Sequence, residues 1–375
     1  MFYIEIVLYY TYMKICFLTH DLRNDYGAGV FSHRLVSGIK ERLGWDIVVL
    51  TSEALGSALE VAILHPQKIK LLREFLRIRN IIKTCDIVHA LDGFPYGVIA
   101  ILASLGLRKK VIITAVGSGA IIPLYSRLYA PLMRWCYLRA NLVTAISTFT
   151  RDEILKQVNN LAIRVINHGV DVEQFTNAGD PPVKLKQYQP YILGVGTIRW
   201  RKGYHFSIRS FAVVAKEFPD LHYVIVGKYY KDDYLLRLER LIHELGLEKK
   251  VHILGDINSR EELARIYKGA ELFCLFSQNM NHDVEGFGLV FLEAAAVGLP
   301  VVGVKNCGVD DAVREGKNGL LVSTRDPKDF ANAMLTILRD KKLQNNMRAE
   351  SIAFAKECTW EKRIGEYIDI YNKMI

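Results

Sequence analysis

Two glutamates, Glu285 and Glu293, bracket the apolar stretch "EGFGLVFLE". Carboxylates in such a setting serve as metal ligands, as an acid–base pair, or as acceptors for hydroxyl groups. The surroundings narrow the choice. "LFCLFS" reads as a strand, "QNMNHDVEGF" as a loop, and "GLVFLEAAAVG" as a helix closed by Gly298 before Pro300. Glu285 then lies just ahead of the helix and Glu293 in its second turn, about 7–8 Å from the helix start. Between them are the free N–H groups and positive dipole end around Gly288, Leu289 and Val290, where an anion is favoured. A carboxylate repels phosphate but accepts hydrogen bonds from sugar hydroxyls. The pair therefore suits a ligand with hydroxyls on both sides of a diphosphate, which is the layout of a nucleotide sugar. The same spacing also suits two solvated glutamates on one helix.

A second cluster is "GVGTIRWRKGYHF", where Arg199, Arg201 and Lys202 crowd a strand-to-helix loop. Cations at the ligand edge of a sheet can neutralise a diphosphate without a metal. A third is "NDYGAGVFSHRL", in which Gly27 and Gly29 permit a tight backbone turn towards a ligand. Its G-x-G-x-x-S string is one residue from a dinucleotide fingerprint, and Glu53 closes the second strand. An NAD-dependent oxidoreductase is thus an alternative of another class, although it gives no reason for the Arg/Lys loop or the acidic pair.

Short continuous apolar runs alternate with helical stretches along all 375 residues, from "KICFLT" and "DIVVLT" to "LFCLFS" and "PVVGV". Continuous apolarity marks strands buried on both faces, hence parallel sheets covered by helices. The pattern breaks once, at "TNAGDPPVKLKQYQP", so two Rossmann-like α/β domains are expected, spanning 13–185 and 186–357. Such sheets bind ligands beyond the carboxyl ends of their strands. Half of the residues are hydrophobic, enough for more than one core. The opening "MFYIEIVLYYTY" is interrupted by Glu5, is too short for a membrane span, and lacks a cleavage site, so Met13 is expected to be the true start, with a short hydrophobic anchor lying on a membrane as the alternative. Six scattered cysteines without C-x-x-C spacing indicate buried reduced thiols and a cytoplasmic setting.

Together the three loops resemble the retaining GT-B glycosyltransferases with the E-x(7)-E signature, the group 1 or family 4 enzymes. The resemblance runs from about Met13 to the C-terminus and is most specific in "EGFGLVFLEAAAVGLPVV". It implies two Rossmann-like domains facing across a cleft, with acceptor on the first and nucleotide sugar on the second. It also implies that "TWEKRIGEYIDIY", within 358–375, is a helix crossing back to the first domain. Glu285 would contact donor sugar hydroxyls and Glu293 the ribose, while Gly286, Phe287, Gly288, Leu289 and Val290 hold sugar and phosphates through the backbone. Arg201 and Lys202 match the family's basic pair on the diphosphate, with Arg199 beside them, and Gly27 and Gly29 join the donor-binding set. "VINHGVDVEQF" resembles the family's turn at the end of the first domain, with His168 as a turn residue. One departure is Val116, which stands where many members carry a histidine. Gly117, Ser118 and Gly119 then offer backbone N–H groups to the acceptor or donor. With Gly117 and Ser118, His89 is an acceptor-side candidate, since it lies like His20 near a strand end, although a structural role suits both histidines as well.

The activity implied is hexosyl transfer with retention, in carbohydrate biosynthesis. A GT-B-like epimerase or a non-catalytic nucleotide-sugar-binding homologue is the runner-up. There is no D-x-D and no metal-ligand spacing, so the nucleotide sugar is a co-substrate and neither a metal nor another cofactor is required.

Net charge is +9. Residues 1–175 hold 20 Lys+Arg against 14 Asp+Glu, a surplus of 6, which suits an anionic partner. Of the possible partners, a membrane surface is favoured over nucleic acid, and the acceptor is expected to be a glycan, a small molecule or lipid-linked. "KIKLLREFLRIRNIIK" carries six basic residues against Glu74, with Leu71, Leu72, Phe75, Ile78 and Ile82 forming the face expected to pack on the sheet. "IIPLYSRLYAPLMRWCYLRANLV" mixes Arg127, Arg134 and Arg139 with aromatic residues. Peripheral, salt-sensitive membrane contact follows as an expectation.

Overall fold

The computed structural model describes residues 13–65, 67–229, 233–255, 257 and 259–374. The hydrophobic opening segment lies outside them. Contacts divide the chain into two units, residues 1–168 with 360–375, and residues 169–359. The Pro-rich break at 176–190 thus falls inside the second unit. There Phe175 packs its ring edge-on against Tyr267, and Lys184 pairs with Glu262, anchoring that segment to the domain that follows it.

Unit 1 is built on a seven-stranded parallel sheet in the order β3-β2-β1-β4-β5-β6-β7. These strands are β1 (Lys14–Leu18), β2 (Asp46–Thr51), β3 (Glu60–Ala62), β4 (Ile87–Ala90), β5 (Lys110–Ala115), β6 (Leu142–Ala145) and β7 (Ile163–Val165). Of these, β1 and β4 at the centre are buried except at Lys14, the first residue of β1, which is why they read as nearly unbroken apolar runs. The helices used below are α1 (Gly27–Leu43), α2 (Lys68–Lys83), α3 (Val98–Ser104), α4 (Ser118–Ile121), α5 (Ala130–Arg139) and α6 (Thr148–Leu155). Right-handed crossovers fix their sides. The connections β3-α2-β4, β4-α3-β5 and β5-α5-β6 all run the same way across the sheet, so α2, α3 and α5 form one layer, with α3 packed on both others. The connection β1-α1-β2 runs the opposite way and puts α1 on the other face.

Unit 2 has a six-stranded parallel sheet in the order β10-β9-β8-β11-β12-β13. Its strands are β8 (Tyr191–Val195), β9 (His222–Val226), β10 (Val251–Leu254), β11 (Leu272–Cys274), β12 (Val301–Val304) and β13 (Gly319–Val322). Its helices are α7 (Val172–Thr176), α8 (Val183–Lys186), α9 (Tyr204–Glu217), α10 (Asp233–Glu244), α11 (Arg260–Lys268), α12 (Leu289–Ala296), α13 (Pro327–Arg339) and α14 (Lys341–Glu357). The last helix, α15 (Trp360–Met374), belongs to unit 1, where it packs on α1.

All six cysteines are buried, and none forms a disulfide among the described residues. No helix among the described residues is long and apolar enough to cross a membrane.

The candidate nucleotide-sugar site

Each sheet reverses its strand order once, between β8 and β11 in unit 2 and between β1 and β4 in unit 1. At such a point the two following loops diverge and leave a crevice, the usual ligand position in open parallel sheets.

In unit 2 the loops after β8 and β11 meet there. The first carries Arg199, Arg201 and Lys202; the second runs through Ser277 to Gly288 and into α12. Two hydrogen bonds clamp them together: Gln278 donates its backbone N–H to the Arg201 carbonyl at 2.8 Å and its side-chain amide to the Trp200 carbonyl at 2.7 Å. Gly203 makes the approach possible. Its φ of +63° is left-handed, and a Cβ there would lie 2.0 Å from the Phe276 carbonyl oxygen.

Glu285 sits where the loops touch. Its Oε2 accepts from Lys202 Nζ at 2.5 Å and Ser277 Oγ at 3.0 Å, with Arg201 Nη1 at 3.1 Å. Burial alone would raise its pKa, but Lys202 and Arg201 more than reverse that and hold it at about 2. Glu285 is therefore a buried carboxylate that stays ionised. Lys202 is lowered by the same desolvation, against the pull of Glu285. Arg201 also reaches Asp283, Nε to Oδ1 at 3.2 Å. Its buried Nε and Nη1 thus make ion-pair contacts with Asp283 and Glu285 but no aligned hydrogen bond among the described residues. Two donors of the guanidinium are held by charge and not by aligned hydrogen bonds, on the loop that meets the one leading into the helix start at Gly288, Leu289 and Val290.

Glu293 lies in the second turn of α12, as read from sequence, only 3% exposed. Its Oε1 accepts from Arg260 Nη2 at 2.8 Å and its Oε2 from the Tyr267 hydroxyl at 3.1 Å, both on α11. Arg260 also lies over the Phe175 ring, 5.6 Å from its centre. The two glutamates thus occupy separate clusters, one of loop cations and one of helix side chains. Phe287, Gly288 and Leu289 are buried, Gly286 and Val290 half-buried, and Arg199 exposed at the rim, where its charge still lowers Lys202.

In unit 1 the candidates separate. Gly27 opens α1 with clear space where a Cβ would stand, whereas Gly29 is required by packing, since a Cβ there would lie 2.1 Å from the Arg23 carbonyl oxygen. Packing thus accounts for Gly29, whereas nothing of the kind constrains Gly27. His89 is a correction: it lies within β4, fully buried, its ring nitrogens 2.7 Å from the Tyr371 and Thr114 hydroxyls. Burial pushes its pKa down to about 3, so it is a neutral core residue and not part of an acceptor surface. His168 is likewise buried and neutral, packed on Phe31 and Trp360. Gly117 and Ser118, by contrast, lie at the sheet's carboxyl edge beside a residue that sequence reading missed.

That residue is Asp92, after β4. It accepts the Gly93 N–H at 2.7 Å and also the Val116 N–H, and Gly119 leaves room for it, a Cβ there falling 2.1 Å from its Oδ2. Desolvation raises its pKa to about 7 despite these bonds. Only its place, just past a strand of the switch point, could have singled it out in the sequence. His20 lies across the same opening, Nδ1 3.2 Å from the Tyr96 hydroxyl. No cluster of three or more His, Cys, Asp or Glu side chains converges among the described residues.

Known proteins share these features. Residues 26–174 match the model of "Glycosyltransferase Family 4" and residues 179–354 that of "Glycosyl transferases group 1". The D-inositol 3-phosphate glycosyltransferase of Corynebacterium urealyticum is 31% identical over 56% of this chain and 51% of its own. A GDP-mannose-dependent phosphatidylinositol monomannoside mannosyltransferase of Mycolicibacterium smegmatis is 30% identical over 54% of each. The chain thus spans about half the length of these curated relatives. Among solved structures, Anabaena HepE in complex with UDP and glucose superposes with a TM-score of 0.79 at 20% identity, covering 97% of this chain and all of that one.

Proposed function

The chain belongs to the group 1 glycosyltransferases of the GT-B fold, and on that premise we propose that it transfers a hexose from a nucleoside diphosphate sugar with retention of configuration. The observation that carries this is Arg201 beside Lys202 on the Glu285 carboxylate, its buried Nε and Nη1 in ion-pair contact with Asp283 and Glu285 but without an aligned hydrogen bond. Diphosphate oxygens would fill that need and be held by charge alone, without a metal or other cofactor. Glu285 would accept sugar hydroxyls through Oε1, since Oε2 already accepts from Lys202 and Ser277, and Glu293 a ribose hydroxyl, each of its oxygens keeping a lone pair beyond its present partner.

As the glycosidic bond breaks, the leaving phosphate oxygen takes the proton of the acceptor hydroxyl attacking from the same face. The acceptor would lie at the unit 1 switch point, with Asp92 accepting one of its hydroxyls and the Gly117–Ser118 backbone beside it. A hydroxyl-rich acceptor, lipid-linked or soluble, fits these groups, and the cytoplasm supplies nucleotide sugars.

Incubation with UDP- and GDP-linked hexoses and a panel of acceptors, read by nucleotide release and by NMR of the product anomer, is the test. A product of inverted configuration would overturn retention. Interconversion of the nucleotide sugar without any acceptor would favour an epimerase. Failure to bind any nucleoside diphosphate would remove the whole reading.

A further inference from the structure

Helix α2 is apolar on two opposite sides. Ile78 and Ile82 are buried against unit 1, with Leu71 and Phe75 half-buried beside them. Leu72, expected in that face, instead points outward and is 76% exposed, with Ile69 and Leu76 each at 71%. At about 100° per residue these three fall within roughly 60° of one another, almost opposite Ile78, as a ridge about 10 Å long. Single exposed aliphatics are ordinary, but three aligned on one helix make a patch. Exposed Lys70, Arg73 and Arg77 flank the ridge on one side, while Arg79 ties the helix to the carbonyls of Ala103 and Leu105 at 2.9 and 2.8 Å. The one acidic residue of α2, Glu74, is paired with Arg77 at 3.5 Å.

The same layer carries a second patch of this kind. On and just before α5, Leu128 is 73% exposed and Leu138 55%, with Trp135 also exposed and Arg139 stacked over its ring at 5.7 Å. Arg127 and Arg134 are exposed between them, and α5 has no acidic residue. Residues 101–150 as a whole hold six basic side chains and no acidic one.

We propose that the outer surface of α2 and α5, on one face of unit 1, is a docking face for an anionic lipid bilayer. Aliphatic and tryptophan side chains standing out among Lys and Arg match an interface where acyl chains lie beneath anionic headgroups. Each basic residue near such a surface adds attraction that salt screens. A protein partner of ordinary composition would not require so one-sided a charge. The proposal concerns a surface of unit 1, not the donor residues of unit 2, and stands independently of the transfer reaction.

The test is co-sedimentation of the full chain with vesicles of phosphatidylcholine mixed with phosphatidylglycerol, and with phosphatidylcholine alone, at low and high salt. Binding is expected only to the anionic vesicles at low salt. L72E/L76E is expected to abolish it, and R73Q/R77Q to weaken partitioning by about 20- to 30-fold. K40Q/K373Q, exposed positions on α1 and α15, is expected to bind as the unaltered chain does. Thermal melting and nucleoside diphosphate binding, measured on every variant, separate a lost surface from a lost fold or donor site. Equal loss in K40Q/K373Q would overturn the proposal by showing diffuse charge attraction. No binding to anionic vesicles would overturn it too, as would a vesicle-independent dimer that L72E/L76E dissolves.

Discussion

Lys202 donates to Glu285 at 2.5 Å across the junction of two loops that follow β8 and β11, so a cation and an anion share one buried point at the sheet's switch. The pair holds the carboxylate ionised, with its pKa at about 2, and ready to accept hydroxyl hydrogen bonds. Glu285→Gln keeps the shape but removes the charge. Transfer is expected to fall by about 10- to 100-fold, the worth of one charged hydrogen bond. Affinity for the free nucleoside diphosphate should stay the same or rise, because an anion near the phosphates is gone. Steady-state kinetics beside calorimetry on the same variant checks this, and parallel losses in both would place Glu285 on the nucleotide instead.

Asp92 carries the clearest pH signature. Its pKa is about 7 in the folded chain against an ordinary 3.8, so the folded state holds the proton more tightly than the unfolded one. Its contribution to stability is full below about 4 and is lost as pH rises through 7. Asp92→Asn cannot titrate. The variant should therefore gain roughly 2–4 kcal/mol on the unaltered chain between pH 4 and 8, measured by denaturant unfolding. If Asp92 also accepts an acceptor hydroxyl, the variant's KM for acceptor rises while its KM for donor holds.

Most of the architecture was legible because buried parallel strands leave unbroken apolar runs, and "KICFL" or "YILGV" cannot be mistaken for exposed loops. The strands not read from sequence are β3 and β13, both at sheet edges. β3 is "EVA", three residues with no buried side chain, and a half-exposed edge has no reason to be apolar. Glu285 and the basic loop could be read because adjacent residues carry the pattern. Their partners Ser277 and Asp283 could not be assigned, since only the fold decides which loop side chains turn inward. His89 misled because a place near a strand end suggests the ligand edge of the sheet, whereas the Tyr371 hydroxyl, supplied by the far end of the chain, satisfies it in the core. On α2, periodicity found an apolar face but not which of two faces the sheet takes.

Arg260 and Glu293 form a second buried pair at 2.8 Å, and here each side chain restrains the other. Glu293→Ala would leave the guanidinium buried without its counter-charge, costing about 3–5 kcal/mol of unit 2 stability. Glu293→Gln retains an acceptor and should cost less. Donor affinity is then best compared in Glu293→Gln, where a loss reports the ribose contact and not unfolding. If both variants melt alike and bind nucleotide as the unaltered chain does, Glu293 belongs to neither the core nor the site.

The cations of the donor loop lead to a prediction about metal. Arg201 and Lys202 stand within 3.1 Å of Glu285, and two buried nitrogens of Arg201 make ion-pair contacts without an aligned hydrogen bond. Two fixed positive charges and a helix start can take up the charge that develops on the leaving diphosphate. Turnover is therefore expected to survive EDTA. Arg201→Ala should weaken nucleoside diphosphate binding by about 10- to 100-fold, the loss of one charge-assisted contact. Lys202→Ala should do the same while also letting the Glu285 carboxyl rise from its depressed value. Assays with EDTA, and with added magnesium, on the unaltered chain and on Arg201→Ala decide the matter. If chelation stops the unaltered enzyme and magnesium restores it, the diphosphate charge is carried by a metal and the role given to Arg201 fails. If magnesium rescues only Arg201→Ala, the guanidinium and the metal are interchangeable at that point, which is what a charge-neutralising role requires.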